Sequence, residues 1–479
     1  MADQLKFYVD GQWVDPVAPK HIEVINPATE EPIAAVSLGS AADVDRAVVA
    51  ARRAFESFSQ WSKAERIDLF EAIIAAYRPR VAEIAALVTS ELGAPAAFAR
   101  TFHAEGTLAL LRNTIATLKA YEFDRFAGTT QIIREPIGVA GLISPWNVPV
   151  GTMMNKVATA MAAGCTVIAK PSELTPLSPL VMAEVMHAAG VPKGVFNLIN
   201  GDGPTVGQRL AAHPGIDVVS ITGSTRAGTL VAQAAAETVK RVLQELGGKS
   251  ANIILSDADL EKCVTAGVQR CFVGGGQSCQ APTRMLVPAL QHERALAVAK
   301  AAADAFVVGD PTDTATTMGP VAHKAQFEKI QRLIGIGVAE GATLAAGGQG
   351  RPQGLSRGWY VRPTVFGNVA AHSTIAQEEV FGPVLSILPY RTEVEAISIA
   401  NDTPYGLAGW VYSGDLDHAR DVARKLRTGR VYLNGAGPDP FAPFGGYKHS
   451  GNGREGGVFG LEEYLEVKAI LGSRAADST

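Results

Sequence analysis

The chain has 479 residues, of which 47% are hydrophobic and 19% charged. That balance excludes an intrinsically disordered chain, which lacks the apolar surface needed to offset the entropy of folding, and the length suits two or three domains at roughly 150 residues each. Lys and Arg total 43 against 47 Asp and Glu, a net charge of −4, so no basic nucleic-acid-binding face is expected. The four cysteines, Cys165, Cys263, Cys271 and Cys279, are too few and too scattered for a disulfide framework. The first residues, Met-Ala-Asp-Gln-Leu-Lys, hold no apolar core of a signal peptide, and no apolar run reaches the ~18 residues of a membrane span. A cytoplasmic protein with neither nucleic acid nor membrane as partner is expected.

Residues 5–36 alternate short apolar runs with turn residues and predict small strands or a hairpin. From Ser40, a candidate cap, Val44, Ala47, Val48, Ala51 and Phe55 recur at helical spacing. Residues 64–92 and 97–118 continue that periodicity, and 132–143 read as a strand pair broken at Pro136. A rhythm follows. Strands over 166–169, 195–198, 218–221 and 239–243 alternate with helices over 178–189, 206–212 and 228–236, the pattern of βαβ units and a parallel sheet. A second α/β stretch runs from 251 to about 429, with helices near 257–273, 291–305 and 393–400. After a glycine-rich segment over 435–460 comes a strand-like run over 464–471, and residues 475–479 are expected to fray.

Three glycine motifs are non-specific. Gly451-Asn452-Gly453-Arg454-Glu455-Gly456 has dinucleotide-binding spacing but follows no strand of a βαβ unit, and reads as structural loop. Gly201-Asp202-Gly203-Pro204-Thr205-Val206-Gly207 is one residue too long. Gly248-Lys249-Ser250 imitates the end of a phosphate-binding loop, but Leu243 stands where its first glycine belongs. The nine histidines do not cluster, so no metal site is expected. A better phosphate cradle is Thr222-Gly223-Ser224, which follows an apolar strand and opens a helix, aiming backbone N–H groups at an anion. Cys279, in Gly274-Gly275-Gly276-Gln277-Ser278-Cys279, reads as a reactive thiol, whereas Cys165, Cys263 and Cys271 read as buried apolar residues. Glu245, before Gly247-Gly248, is either a turn residue or a mobile base.

Taken in order, Pro145-Trp146-Asn147, Lys170-Pro171-Ser172-Glu173, Thr222-Gly223-Ser224, Glu245-Leu246-Gly247-Gly248-Lys249, Gly276-Gln277-Ser278-Cys279, Glu379-Val380-Phe381-Gly382-Pro383-Val384 and Pro443-Phe444-Gly445-Gly446 resemble the NAD(P)-dependent aldehyde dehydrogenase superfamily across essentially the whole chain. The resemblance implies a catalytic set of Cys279 as nucleophile, Asn147 as oxyanion donor and Glu245 as base for hydrolysis of a thioester. It implies cofactor contacts from Ile143, Ser144, Trp146, Lys170, Ser172, Glu173, Gly203, Gly207, Gly223, Ser224, Leu246, Glu379 and Phe381. NAD is the preferred cofactor, with NADP the alternative. The implied fold class is α/β, with a Rossmann-like cofactor domain (1–118 and 137–247), a catalytic α/β domain (248–448) and a β bridging extension (119–136 and 449–479). The exposed strand of that extension points to a homodimer or homotetramer.

A small-molecule aldehyde is the expected substrate, and the sequence does not name it. Val148, Gly151, Thr152 and Asn155 stand where bulkier residues are common, which suggests a wider or more polar tunnel. No Arg or Lys offers a carboxylate anchor, so a semialdehyde is not supported. Two other readings remain. A CoA-acylating enzyme commonly lacks the catalytic Glu, and a Cys-dependent hydrolase would need a His that no local motif identifies.

Overall fold

A computed structural model describes residues 4–474; the segment 475–479, expected to fray, lies outside them. The predicted βαβ rhythm builds a sheet with five parallel strands in the spatial order Phe196–Leu198, Thr166–Lys170, Val139–Ile143, Val218–Thr222 and Arg241–Glu245. Antiparallel strands close both edges: Phe7–Val9 with Gln12–Val14 on one side, Gly451–Asn452 on the other. The four inner strands, Phe196–Leu198 to Val218–Thr222, are almost wholly buried, as expected where helices cover both faces, and Arg241–Glu245 beside the edge is partly exposed.

From Val139–Ile143 the chain first builds outward through Thr166–Lys170 and Phe196–Leu198. It then returns to place Val218–Thr222 on the opposite flank of Val139–Ile143. The order therefore reverses at Ile143 and Thr222, and in open α/β sheets the ligand crevice lies at such a reversal, outside the carboxyl ends of the strands.

A second sheet orders Thr343–Ala346, Thr364–Gly367, Val384–Tyr390, Arg284–Pro288, Ala251–Ile254, Ala408–Tyr412 and Arg430–Leu433, all parallel except the first. A third consists of Leu465–Ile470, Thr130–Pro136 and Asp124–Ala127, antiparallel throughout. The predicted N-terminal hairpin is His21–Asn26 with Glu31–Ser37.

Ser40 caps the helix Ala41–Phe58 through a reciprocal box with Asp43. Two stretches depart from expectation. The single helical stretch over 64–92 is two helices, Lys63–Tyr77 and Val81–Leu92, separated by a tight turn centred on Pro79, which has no N–H to continue the ladder. The stretch over 97–118 opens with π-helical turns, Ala99–Glu105, before the α-helix Gly106–Ala120. The strand expected over 166–169 is Thr166–Lys170, preceded by the helix Pro149–Ala163. The helix Lys324–Ala339 went unread because its apolar residues are diluted by glycine and charge.

Candidate active site

Two sheet edges meet at the site. Glu245 ends the last parallel strand of the first sheet, and six residues later Ala251 begins a strand of the second. Ala251 is in register with Arg284, whose strand follows the loop carrying Cys279. The pairing that aligns the two strands therefore draws Gly248 against Cys279. A Cβ on Gly248 would lie 2.3 Å from the Cys279 carbonyl oxygen, and one on Gly247 would lie 2.6 Å from the Glu379 carboxylate. Only glycine lets the three segments close. Gly276 is fixed likewise, with φ +69° and its missing Cβ 2.2 Å from the Gly382 carbonyl oxygen.

Asn147 follows the strand Val139–Ile143 and precedes the helix Pro149–Ala163. Its side-chain nitrogen donates to the Gln277 carbonyl at 2.9 Å, which spends one amide hydrogen and leaves the other. Gln277 is itself held, donating to the Gly274 carbonyl at 3.1 Å and accepting from the Ala322 N–H at 2.9 Å. Beyond Cys279, the Tyr432 hydroxyl donates to the Gln280 side chain at 3.0 Å, and Tyr432 stacks on Trp410 with ring centroids 4.8 Å apart.

The electrostatics differ from a ready-made thiolate. Burial, then the Glu245 and Glu379 carboxylates, push the Cys279 thiol up to about 12, against one lowering contact from the Gln280 backbone. Burial and the neighbouring Glu455 hold Glu245 well above the usual carboxylate range, opposed by Lys156, Arg454 and Arg430. Neither Glu245 oxygen has a hydrogen-bond partner among the described residues. A buried carboxyl with no partner is most stable neutral. Cys165, Cys263 and Cys271 are buried, as expected of structural thiols.

Sequence reasoning missed the acid–base surroundings of Glu245. Lys156 Nζ lies 2.6 Å from Glu455 and donates to the Ser220 hydroxyl at 2.9 Å, and Asn155 donates to the other Glu455 oxygen at 2.7 Å. The motif read as structural loop thus has a second role: Gly451 pairs with Glu245, and the turn that follows delivers Arg454 and Glu455. One signal was available in Lys156, the lone charged residue of the helix Pro149–Ala163, which the structure buries.

The residues expected to hold a dinucleotide lie mostly along the carboxyl edge of the first sheet. Ile143 and Lys170 end strands, Ser144 and Gly223 directly follow them, and Ser224 caps the helix Thr225–Ala235 by accepting from the Ala227 N–H. Lys170 Nζ donates to the Pro171 and Gly201 carbonyls at 2.8 and 2.6 Å and to Glu173 at 3.4 Å. Ser172 accepts from the Leu174 N–H. Gly203 and Gly207 bound a π-turn, and a Cβ at Gly203 would meet nothing within 4 Å. Leu246 turns its side chain away, onto Gly228, and its N–H donates to the Ser450 carbonyl. Glu379 accepts from the Gly248 N–H at 2.9 Å. Phe381, at φ +56°, and Trp146 meet edge to face at 5.3 Å.

This edge fits a dinucleotide by its own chemistry. The Ser144 and Thr222 hydroxyls and both polar atoms of the Asn200 side chain are buried there without partners. Such groups are costly unless something hydrogen-bonds them. They flank the reversal of strand order, beside a helix N-terminus that favours phosphate.

The sequence profile of the aldehyde dehydrogenase family matches residues 13–470, and the chain belongs to that family. It is an aldehyde dehydrogenase. It is 53% identical to a 3-succinoylsemialdehyde-pyridine dehydrogenase of a Pseudomonas species, over 98% of this chain and 99% of the relative. Among solved structures, a mutant aldehyde dehydrogenase C of Pseudomonas syringae with NAD+ and octanal is 53% identical, with a TM-score of 0.97 over 98% of this chain and 97% of its own. A Mycobacterium tuberculosis aldehyde dehydrogenase with NAD+ is 38% identical, with a TM-score of 0.96 over 100% and 99%. Among the described residues no helix is long and apolar enough to cross a membrane.

Proposed function

We propose that Cys279, Asn147 and Glu245 carry the oxidation of an aldehyde to its carboxylic acid, with hydrolysis rather than acyl transfer to CoA as the second half. The observation that carries the assignment is the contact of Gly248 with the Cys279 carbonyl, which locks the end of the Glu245 strand onto the nucleophile loop. Glu245, a carboxyl raised by burial and without a hydrogen-bond partner, is free to exchange a proton with a water in the site. The Cys279 sulfur attacks the carbonyl carbon, and the free Asn147 amide hydrogen with the Cys279 backbone N–H meets the oxyanion. The chemistry that NAD+ supplies when bound is acceptance of hydride, which leaves an acyl thioester on Cys279. Glu245 then takes a proton from water; the hydroxide adds to the thioester and the thiolate leaves.

Lys170 and Glu173 would hold the adenosine ribose, Gly223 and Ser224 the pyrophosphate, and Glu379 the nicotinamide ribose. Ile143, Ser144, Trp146, Ser172, Gly203, Gly207, Leu246 and Phe381 would line the same cleft. The NAD+ in the two relatives above supports this reading. Cofactor choice leans to NAD, because Glu173 opposes a 2′-phosphate; Lys170, already beside Glu173, weakens that opposition. The division into cofactor domain, catalytic domain and bridging extension is supported by the change of sheet between Glu245 and Ala251. Assembly as a homodimer or homotetramer is supported by the unpaired outer edge of Leu465–Ile470, and a cytoplasmic setting by four unpaired cysteines.

The test is incubation with NAD and an aldehyde panel, with and without CoA, for the wild type, Cys279→Ala and Glu245→Gln. Wild type should turn over without CoA and Cys279→Ala should not. Glu245→Gln should release about one NADH per site and then stall at the thioester. Turnover by Cys279→Ala within about tenfold of wild type, or strict dependence on CoA, would overturn the assignment.

A further inference from the structure

Beside the reaction centre lies a cavity of about 440 Å³ between the helices Gly106–Ala120 and Pro149–Ala163 and the loop over 438–444. It borders that centre twice. Val148 in its wall follows Asn147, and Glu455 in its wall is the group that, after burial, raises Glu245 most.

Its composition misleads, because the sequence paints a polar wall of threonines. The Thr101, Thr107, Thr114 and Thr159 hydroxyls donate to their own helix, to the carbonyls of Ala97, His103, Leu110 and Asn155 at 2.9, 2.7, 3.1 and 2.6 Å. With the hydroxyls spent on the backbone, what remains for a ligand is largely methyl, and Phe102, Leu110, Phe444 and Leu461 complete an apolar wall. Room comes from Gly151, where a Cβ would already stand 3.0 Å from Val148 and 3.6 Å from the Thr107 hydroxyl.

The wall also offers an anion no unengaged cation. Its acids are Asp439 and Glu455, and its one cation is Arg430. That guanidinium is spent, donating to the Ala442 carbonyl at 2.8 Å, the Pro443 carbonyl at 2.9 Å and the Tyr432 hydroxyl at 3.3 Å. A carboxylate entering here would lose its water and find the wall's cation already engaged, with Glu455 paired to Lys156.

Three polar side chains are left over: Thr152, next to Gly151 near the reaction centre, and two farther along the cavity. Asn113 and Thr117, one turn apart on Gly106–Ala120, line the cavity and have no side-chain hydrogen-bond partner among the described residues. At 1.5 Å per residue they lie roughly 9 and 15 Å along the helix from Thr107, which neighbours Gly151.

Resting on the aldehyde reading above, we infer that the substrate is an uncharged aldehyde with a bulky carbon skeleton whose far end bears a neutral hydrogen-bonding group, taken by Asn113 and Thr117. Methyl and aromatic walls remove the skeleton from water. The distal pair supplies donors and acceptors that water would otherwise satisfy, so a substrate lacking the polar end leaves them unpaired.

Four probes test this: acetaldehyde, 4-oxobutanoate, 3-phenylpropanal and 3-(4-acetylphenyl)propanal, each with NAD. The wild-type kcat/KM for 3-phenylpropanal should exceed that for 4-oxobutanoate by about 100-fold, and the acetyl compound should be better still. Asn113→Ala and, separately, Thr117→Val should each lower the ratio of kcat/KM for the acetyl compound to that for 3-phenylpropanal by ~10-fold. Gly151→Leu should lower the ratio for 3-phenylpropanal to acetaldehyde. These ratios cancel any general loss of active enzyme. Parity between 4-oxobutanoate and 3-phenylpropanal, or an acetyl-to-phenyl ratio unmoved in both variants, overturns the inference while leaving aldehyde oxidation standing. No oxidation of any probe overturns both.

Discussion

At Cys279 the nucleophile and its environment pull in opposite directions. Burial and three carboxyl groups, Glu245, Glu379 and Glu455, hold the thiol at about 12, so without cofactor the sulfur should be almost wholly protonated near neutral pH. Alkylation by iodoacetamide should therefore be slow at pH 7 and climb far above the range of a free thiol. Glu245→Gln removes one of the three carboxyls that oppose the thiolate and should bring that climb to lower pH. Alkylation at the rate of an exposed cysteine at pH 7 would contradict the electrostatic picture. Glu173 gives a second prediction at this scale. Its carboxylate is 29% exposed and paired only loosely with Lys170, so Glu173→Gln should raise kcat/KM for NADP more than for NAD. If wild type prefers NADP, Glu173 is misplaced.

Between elements, the least obvious contact is a cap supplied from another helix. Glu91, near the end of Val81–Leu92, accepts from the Leu177 N–H at 2.7 Å, the Ser178 N–H at 2.9 Å and the Ser178 hydroxyl. It thereby satisfies the first turn of Leu177–Ala188, whose own N-cap is Pro176 with no side-chain bond to offer. Glu91→Ala would strand buried N–H groups, and a loss of roughly 2–4 kcal/mol in urea unfolding is expected. Burial outweighs the three donors and pushes Glu91 up to about 7 from its ordinary 4.5. A raised carboxyl stabilises the fold fully below its unfolded value, and that contribution is lost as pH rises through about 7. Between pH 5 and pH 8 the wild type should therefore lose more stability than Glu91→Gln. An equal loss would show that Glu91 does not titrate in that window.

At the scale of the whole molecule, the edge strand Leu465–Ile470 stands exposed. In Leu465–Ile470 every side chain after Leu465 faces solvent, with Val467 64% and, just beyond, Leu471 79% exposed. Arg241 anchors its start by donating to the Glu463 and Leu465 carbonyls at 2.7 and 2.9 Å. The edge is thus held in place, apolar and unpaired, the condition under which strands recruit a second chain. Val467→Asp should shift the sedimenting species toward the monomer; a monomeric wild type would remove the basis for the assembly proposal.

Local chemistry was readable from residues in order. The strand–helix rhythm over 166–243 is hydrophobic periodicity, Ser40 is a cap by its hydroxyl, and collinear motifs around Asn147, Glu245 and Cys279 carry the family. Such signals are set within a few residues by backbone geometry and burial. The surroundings of Glu245 were not, because Lys156 and Glu455 are some 300 positions apart and meet only when Gly451 pairs beside Glu245. The character of the cavity was hidden in the same way. Thr101, Thr107, Thr114 and Thr159 are polar letters in a sequence, and only the helix that takes their hydroxyls turns them into an apolar wall. Identity and chemistry follow from local pattern, whereas charge state and selectivity depend on which distant groups share a low-dielectric space.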